Sequence, residues 1–273
     1  RHYRDVFDDA RAQGLECWLT YCPNVISKEE VRELPWKDRS LYASTQVLRL
    51  SDDEAVATTY LAHRRLVLQQ LDNADAFVVI DGDPGGYPGA APEEYLRILQ
   101  NDQAAVPGKR VIPWIWNGWG RDHAGPEYWS TPVRPPVRAC LEVLKSGMTG
   151  QWELLAGRSH REDWANGRIP VSEAERAGLM TRSTLFCYEA IEFEPSEPAA
   201  VIQFDLIRQA LQQEGDYAKV AQGVLGNAQQ PVMVLPNLYF FARAAGDLRY
   251  LGTPDEQVLS DLARAFSTSP SRC

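Results

Sequence analysis

The stretch "AFVVIDGDPGGYPGAAPEEYLRILQNDQAAVPGKRVIPWIW", residues 76–116, contains two apolar runs with a helical pattern between them. Residues 76–81 and 110–116 predict strands, and residues 92–105 open with Pro and two Glu, which is typical of a helix start. Such a unit predicts two parallel strands joined by a helical crossover. Pro113 argues against the second strand, because proline cannot donate to a strand ladder.

The same alternation of strands and helices continues along the chain. Further apolar runs predict strands at residues 16–22, 150–157, 184–193 and 219–227. Helical patterns occur at residues 3–13, 51–71, 135–147, 172–179, 199–215, 235–245 and 254–266. For the helix at 51–71 we predict a Ser N-cap. Residues 23–50 show no clear periodicity and are predicted to be irregular.

This order predicts an α/β fold, and no G-x-G-x-x-G sequence follows any strand to indicate a dinucleotide-binding sheet. We therefore expect a (β/α)8 TIM barrel, in which residues 1–273 form a single domain. Only six of the eight strands are visible and the sequence begins with Arg1. We expect a partial barrel that lacks its first two strands.

Composition narrows the function. The formal net charge of −9 argues against nucleic-acid and membrane partners, because no basic surface is available to neutralise phosphates. The five cysteines include no C-x-x-C pair, and the four histidines are scattered, so neither a disulfide framework nor a zinc site is expected. No apolar run approaches the length of a membrane span. No cofactor or metal is expected.

The predicted strand ends carry carboxylates, aromatic rings and amides. In a parallel barrel these ends meet at one rim, where the active site lies. The rim residues that we single out are Asp81, Asp83, Trp116, Trp119, Glu153, Tyr188, Glu189, Asn227 and Gln229. Sugar rings stack on indoles, their hydroxyls pair with carboxylates and amides, and glycosidic hydrolysis needs two carboxyl groups. The rim therefore predicts an oligosaccharide or glycoside as partner.

This rim resembles that of glycoside hydrolases built on the barrel fold. If two strands are missing, the strand at 76–81 is the fourth and the strand at 184–193 is the seventh. The largest clan of barrel glycosidases carries its acid/base after the fourth strand and its nucleophile on the seventh. The resemblance implies that Asp81 or Asp83 is the acid, and that Glu189 is the nucleophile or base.

Two further likenesses concern the segment after the fourth strand. Hexosaminidase-like families also place an acidic pair there, and "DGDPGGYPG" at 81–89 is similar to the D-x-G-G-C segments of α-glucuronidase-like barrel proteins. The sequence departs from the clan by having Asp-Gly-Asp in place of Asn-Glu, and Tyr87 stands where a Cys is expected.

Other interpretations remain open for the same residues. The rim could belong to a non-catalytic carbohydrate-binding barrel, or to a metal-dependent hydrolase with Asp81, Asp83 and Glu153 as oxygen ligands. The Asp83 segment could be only a turn, since Asp, Pro and Gly favour turns. Glu189 could simply pair with an arginine.

Overall fold

The structure is a computed structural model that describes residues 2–21, 25–27, 40–42, 45–47, 49–51, 53–81, 90–115, 134–148, 154–159, 173–188, 191, 202–213, 222–228 and 231–267. The strands are β1 Trp18–Tyr21, β2 Val25–Ser27, β3 Ser40–Tyr42, β4 Thr45–Val47, β5 Ala76–Ile80, β6 Arg110–Ile115, β7 Leu154–Ser159, β8 Ser183–Tyr188 and β9 Gly223–Gly226. The α-helices are α1 His2–Ala12, α2 Glu54–Gln70, α3 Pro92–Ala105, α4 Arg134–Gly147, α5 Phe204–Gln213, α6 Leu235–Gly246 and α7 Asp255–Ser267.

Six strands form one parallel sheet in the order β1-β5-β6-β7-β8-β9. The predicted parallel α/β sheet with sequential strand order is confirmed. Within the described part of the chain, β1 and β9 each pair on one side only. These strands therefore do not by themselves close into an eight-stranded barrel, and the loss of two strands stays a prediction, as does the single domain.

Residues 25–47 are not wholly irregular, so the prediction for this segment was wrong. They contribute β2, β3 and β4, which form a separate antiparallel sheet in the order β2-β4-β3. Each strand has only three residues, which is too short for a period-two pattern to stand out in the sequence. The three strands lie in the connection between β1 and α2.

The two faces of the parallel sheet bury different side chains. Phe77 and Val79 pack in the main apolar core together with residues of the helices, such as Tyr95 on α3. Ala76 and Val78 alternate with them and pack on the other face, which we call the inner face. Both faces of β5 are fully buried, which explains why this strand reads as an unbroken apolar run.

The inner face carries a small core of its own. Its buried members are Ala76, Val78, Ile112 and Phe186, with Trp18 and Trp114 packed against them. The rings of Trp114 on β6 and Phe186 on β8 meet edge to face with centroids 4.6 Å apart. Strands two places apart in a flat sheet are separated by about 9.6 Å. Their large side chains therefore converge on the inner face.

Pro113 does lie in a central strand, and the register shows how it is tolerated. The carbonyl of Trp114 accepts from the Asp81 amide on the β5 side. Successive residues of a strand direct their hydrogen-bonding groups to opposite neighbours, so Pro113 faces β7. Among the described residues, the ladder between β6 and β7 begins at the pair of Trp114 and Leu155, one residue beyond Pro113.

Two details of the predicted elements need correction. The N-cap of α2 is Asp53, whose carboxylate accepts from the amides of Ala55 and Val56, rather than a serine. Strand β7 is described from Leu154, and residues 150–153 of the predicted strand lie outside the described residues. Strand β8 ends at Tyr188, several residues before the predicted end at residue 193.

Candidate functional site

The carboxyl edge of the parallel sheet holds the candidate site. Here β5 ends at Ile80, and the amide of the next residue, Asp81, donates to the Trp114 carbonyl at 2.9 Å. This bond extends the β5–β6 pairing by one residue and fixes the backbone of Asp81 at the edge. Its side chain is fully buried, and Asp81 has a further interaction partner. A buried carboxyl of this kind is expensive unless it is paired or protonated.

Asp81 and Asp83 are two residues apart in the sequence, so we expected their side chains to point to the same side if the strand continued past residue 81. The strand stops at Ile80 and residue 81 lies in a bend, so that argument was wrong. Alternate side chains of β5 face the same side of the sheet, and Asp81 follows Phe77 and Val79 in this order. Phe77 and Val79 pack towards the helices. Asp83 lies outside the described residues.

The end of β8 supplies the second part of the site. Tyr188 is the last residue of this strand and pairs in register with Ser159, the last residue of β7. Glu189 follows directly in sequence and lies outside the described residues. Since β5 and β8 run parallel in one sheet, Asp81 and Tyr188 lie at the same edge.

The remaining predicted residues are only partly described. Asn227 follows β9 at the same edge and is partly exposed. It continues the alternation of Gly223 and Leu225, which pair with inner-face positions of β8. The other predicted rim residues lie outside the described residues: Trp116, Trp119, Glu153 and Gln229.

A carboxylate on α3 fixes the connection that leaves β1. Glu94 is 9% exposed and accepts from the Leu50 amide at 2.7 Å and from the Ser51 hydroxyl at 2.9 Å. It also accepts from the Ala91 amide at 3.5 Å, at the start of its own helix. Since the helix that follows β5 begins at the carboxyl edge, Glu94 anchors the end of the β1–α2 connection beside the candidate site.

A second buried hydrogen-bond network connects β1 with α2 and α3. The Tyr21 hydroxyl donates to Asp102 at 2.6 Å, and Arg64 forms a bidentate pair with the same carboxylate at 2.7 and 2.8 Å. Burial raises the pKa of Tyr21 well above its ordinary value. For Arg64, burial alone would lower the pKa, but the negative charge of Asp102 outweighs it and raises the pKa. The groups satisfy one another, so we interpret this network as structural.

Sequence reasoning missed the polar residues that hold the edge in place. Asn237 was not among the predicted rim residues; it is 1% exposed and binds backbone groups on both sides of the β8–α5 connection. Glu94 carried a partial signal, because a Glu at the third position of a helix favours a hydrogen bond back to the helix start. No pattern in the sequence indicated the hydrogen bonds that Glu94 accepts from Leu50 and Ser51.

Within the described ranges, no three His, Cys, Asp or Glu residues form a group able to hold a metal ion. A search of the same ranges for a helix both long enough and apolar enough to cross a membrane also found none.

Comparison with known proteins gives little further information. No family model matches the chain, and no curated protein matches it. A solved structure of a sugar phosphate isomerase/epimerase from Parabacteroides distasonis aligns over 97% of this chain and 81% of its own length, at 11% identity and a TM-score of 0.41. That score is too low for the likeness to bear on fold or activity. None of these comparisons matches the chain to a glycoside hydrolase.

Proposed function

We propose that the protein is a glycoside hydrolase whose active site lies at the carboxyl edge of the parallel sheet. The observation that carries the proposal is the common edge of β5 and β8. One strand leads into the buried Asp81, and the other leads directly into Glu189. Two carboxyl groups from separate strand ends are the machinery that glycosidic hydrolysis needs.

The spacing of the two strands is compatible with this chemistry. Three strand steps separate β5 from β8, which corresponds to about 14 Å in a flat sheet. Trp114 and Phe186 meet across two strand steps on the inner face. The proposal therefore requires the bend at residue 81 to turn the Asp81 carboxyl from the helix-facing side towards that face. Carboxyl groups must approach to about 5–9.5 Å for either stereochemical course.

In the proposed mechanism Asp81 or Asp83 protonates the leaving oxygen, and Glu189 acts as nucleophile or base. Asp81 is fully buried where β5 meets this edge, and it has an interaction partner there. Trp116 and Trp119 would stack on sugar rings, while Glu153, Tyr188, Asn227 and Gln229 would bind hydroxyls of an oligosaccharide or glycoside.

The test is a panel of nitrophenyl glycosides that differ in sugar and anomeric configuration, incubated with the full chain. We expect release of nitrophenol from at least one of them. Heat-unfolded protein from the same preparation is the control for a contaminating enzyme of higher stability.

The alternative is a carbohydrate-binding barrel without catalysis. Calorimetry with the parent sugars separates the two functions, because such a barrel would bind a sugar and release no nitrophenol. The absence of both binding and turnover across the panel would contradict the proposal and this alternative together.

A further inference from the structure

A buried amide on α6 ties together both ends of the connection that follows β8. The Nδ2 group of Asn237 donates to the Ile191 carbonyl at 3.1 Å, and its Oδ1 accepts from the Gln203 amide at 3.0 Å. Ile191 lies three residues beyond the end of β8, and Gln203 lies directly before α5. One side chain thus bridges the start and the end of the connection.

The side chain of Ile191 is held as firmly as its backbone. It is 1% exposed and belongs to the apolar cluster that α5, α6 and α7 form. A Cβ atom on Gly226, the last residue of β9, would overlap Ile191 Cδ1 and would lie 3.2 Å from Phe241 Cε1. Ile191 occupies the space that a side chain at position 226 would need.

Two fixed residues therefore bracket the sequence position of Glu189. On one side Tyr188 is held in the sheet by its pairing with Ser159. On the other side Ile191 is held by Asn237 and packed over Gly226. Glu189 comes one position after Tyr188 and two positions before Ile191 in the sequence.

We propose that Asn237 is a positioning residue for the active site. By holding Ile191, two residues after Glu189 in the sequence, it would restrain the segment that carries this carboxylate. The assignment of Glu189 rests on the proposed function. A purely structural Asn237 would instead stabilise the helices without influencing the reaction.

Asn237→Asp is the discriminating variant. It keeps the oxygen that accepts from Gln203 and replaces the donor to Ile191 by a second oxygen, which repels that carbonyl. The matched control is Val258→Ala, a truncation of a fully buried side chain on α7 in the same apolar cluster. Both variants are compared at temperatures at which their folded fractions are equal.

Two readouts separate positioning from stability. Hydrogen exchange of the amides in residues 186–193 should be at least about 10-fold faster in Asn237→Asp and unchanged in Val258→Ala. On a glycoside that the wild type cleaves, kcat of Asn237→Asp should fall by about 10- to 100-fold with KM within about 2-fold, since misplacing a reacting group lowers the rate of the chemical step. The control should keep its kcat.

Unchanged exchange in Asn237→Asp would overturn the anchoring, and faster exchange with unchanged kcat would overturn the positioning role. A wild type that cleaves no glycoside would defeat the proposed function and the catalytic part of this inference, while exchange still decides the anchoring. If Asn237→Asp does not fold, Asn237→Ser removes both bonds without adding a charge and is measured in the same way.

Discussion

Trp114 on β6 and Phe186 on β8 meet edge to face with ring centroids 4.6 Å apart, although β7 lies between their strands. The register offers an explanation, because the β7 residue paired with Phe186 is Gly157. A glycine at that position places no side chain between the rings. This contact joins β6 and β8 across the inner face.

We expect a double-mutant cycle with Trp114→Leu and Phe186→Leu to give a coupling energy of about 0.5–1.5 kcal/mol, the usual value for an aromatic pair beyond its buried area. The free energies of unfolding would be measured by urea denaturation. Strict additivity of the two substitutions would show that the rings do not interact.

The bounds of a strand in this sheet were predictable where they coincide with a run of buried apolar residues. β5 is apolar on both faces and was found almost to the residue. β8 was predicted too long because Ile191 continues its apolar pattern. In the structure Ile191 lies outside the strand and is buried in the apolar cluster of α5, α6 and α7, beside Gly226, which a local pattern cannot reveal.

The buried pair of Arg64 and Asp102 gives a second prediction. Asp102→Asn removes the negative charge and leaves the buried guanidinium without its counter-ion, which should lower the free energy of unfolding by about 3–5 kcal/mol. Replacing the whole network together, as Arg64→Met, Asp102→Leu and Tyr21→Phe, should restore most of that loss. Urea denaturation measures both, and a triple variant less stable than Asp102→Asn would contradict this account.

The close approach of Ile191 to Gly226 gives a third prediction. Gly226→Ala should cost about 1–3 kcal/mol of unfolding free energy through overpacking, because Ile191 and Phe241 must both shift. Ile191→Val removes the Cδ1 atom that the new methyl group would meet, so the double variant should be more stable than Gly226→Ala alone. Thermal unfolding checks this, and the absence of rescue would mean that the backbone, not Ile191, opposes the alanine.

Asp75 gives a prediction for pH. Its carboxylate accepts from the Cys17 amide at 2.8 Å, directly before β1, and this bond together with the Arg11 cation lowers its pKa. As the pH falls, the carboxylate of Asp75 is therefore protonated in the unfolded chain, at an ordinary pKa of about 4, before it is protonated in the folded chain. The stabilisation is fully present above that pH and is lost as the pH falls through the lower pKa of the folded state.

Asp75→Asn should therefore reduce stability at neutral pH and flatten the loss of stability below about pH 4. The control is Asp72→Asn, since Asp72 forms a more exposed pair with Arg4 and should change little. Urea denaturation from pH 7 to pH 2 provides the comparison. Equal pH profiles for Asp75→Asn and the wild type would contradict the linkage.

The site was predictable only in outline. Asp81 stood out because a carboxylate that ends an apolar strand is unusual. The residues that hold the edge could not be found in this way, because their partners are distant in sequence. Asn237 lies 46 residues from Ile191, and Glu94 lies 44 residues from Leu50.

The last prediction separates the two candidate acids. A general acid is needed most when the leaving group is poor, and a dinitrophenol leaves without protonation. The Asn variant of the true acid should therefore lose at least about 100-fold in kcat/KM on a methyl glycoside and little on the dinitrophenyl glycoside of the same sugar. Asp81→Asn and Asp83→Asn are measured side by side. Glu189→Gln is the control, and it should slow the hydrolysis of both substrates by at least about 100-fold.

If Asp81 serves only the fold, its Asn variant will have a lower unfolding temperature and the same rate ratio between the two substrates as the wild type. An Asp83→Asn variant with the wild-type ratio as well would leave neither aspartate as the acid, and the assignment of this edge as a glycosidase site would then be wrong.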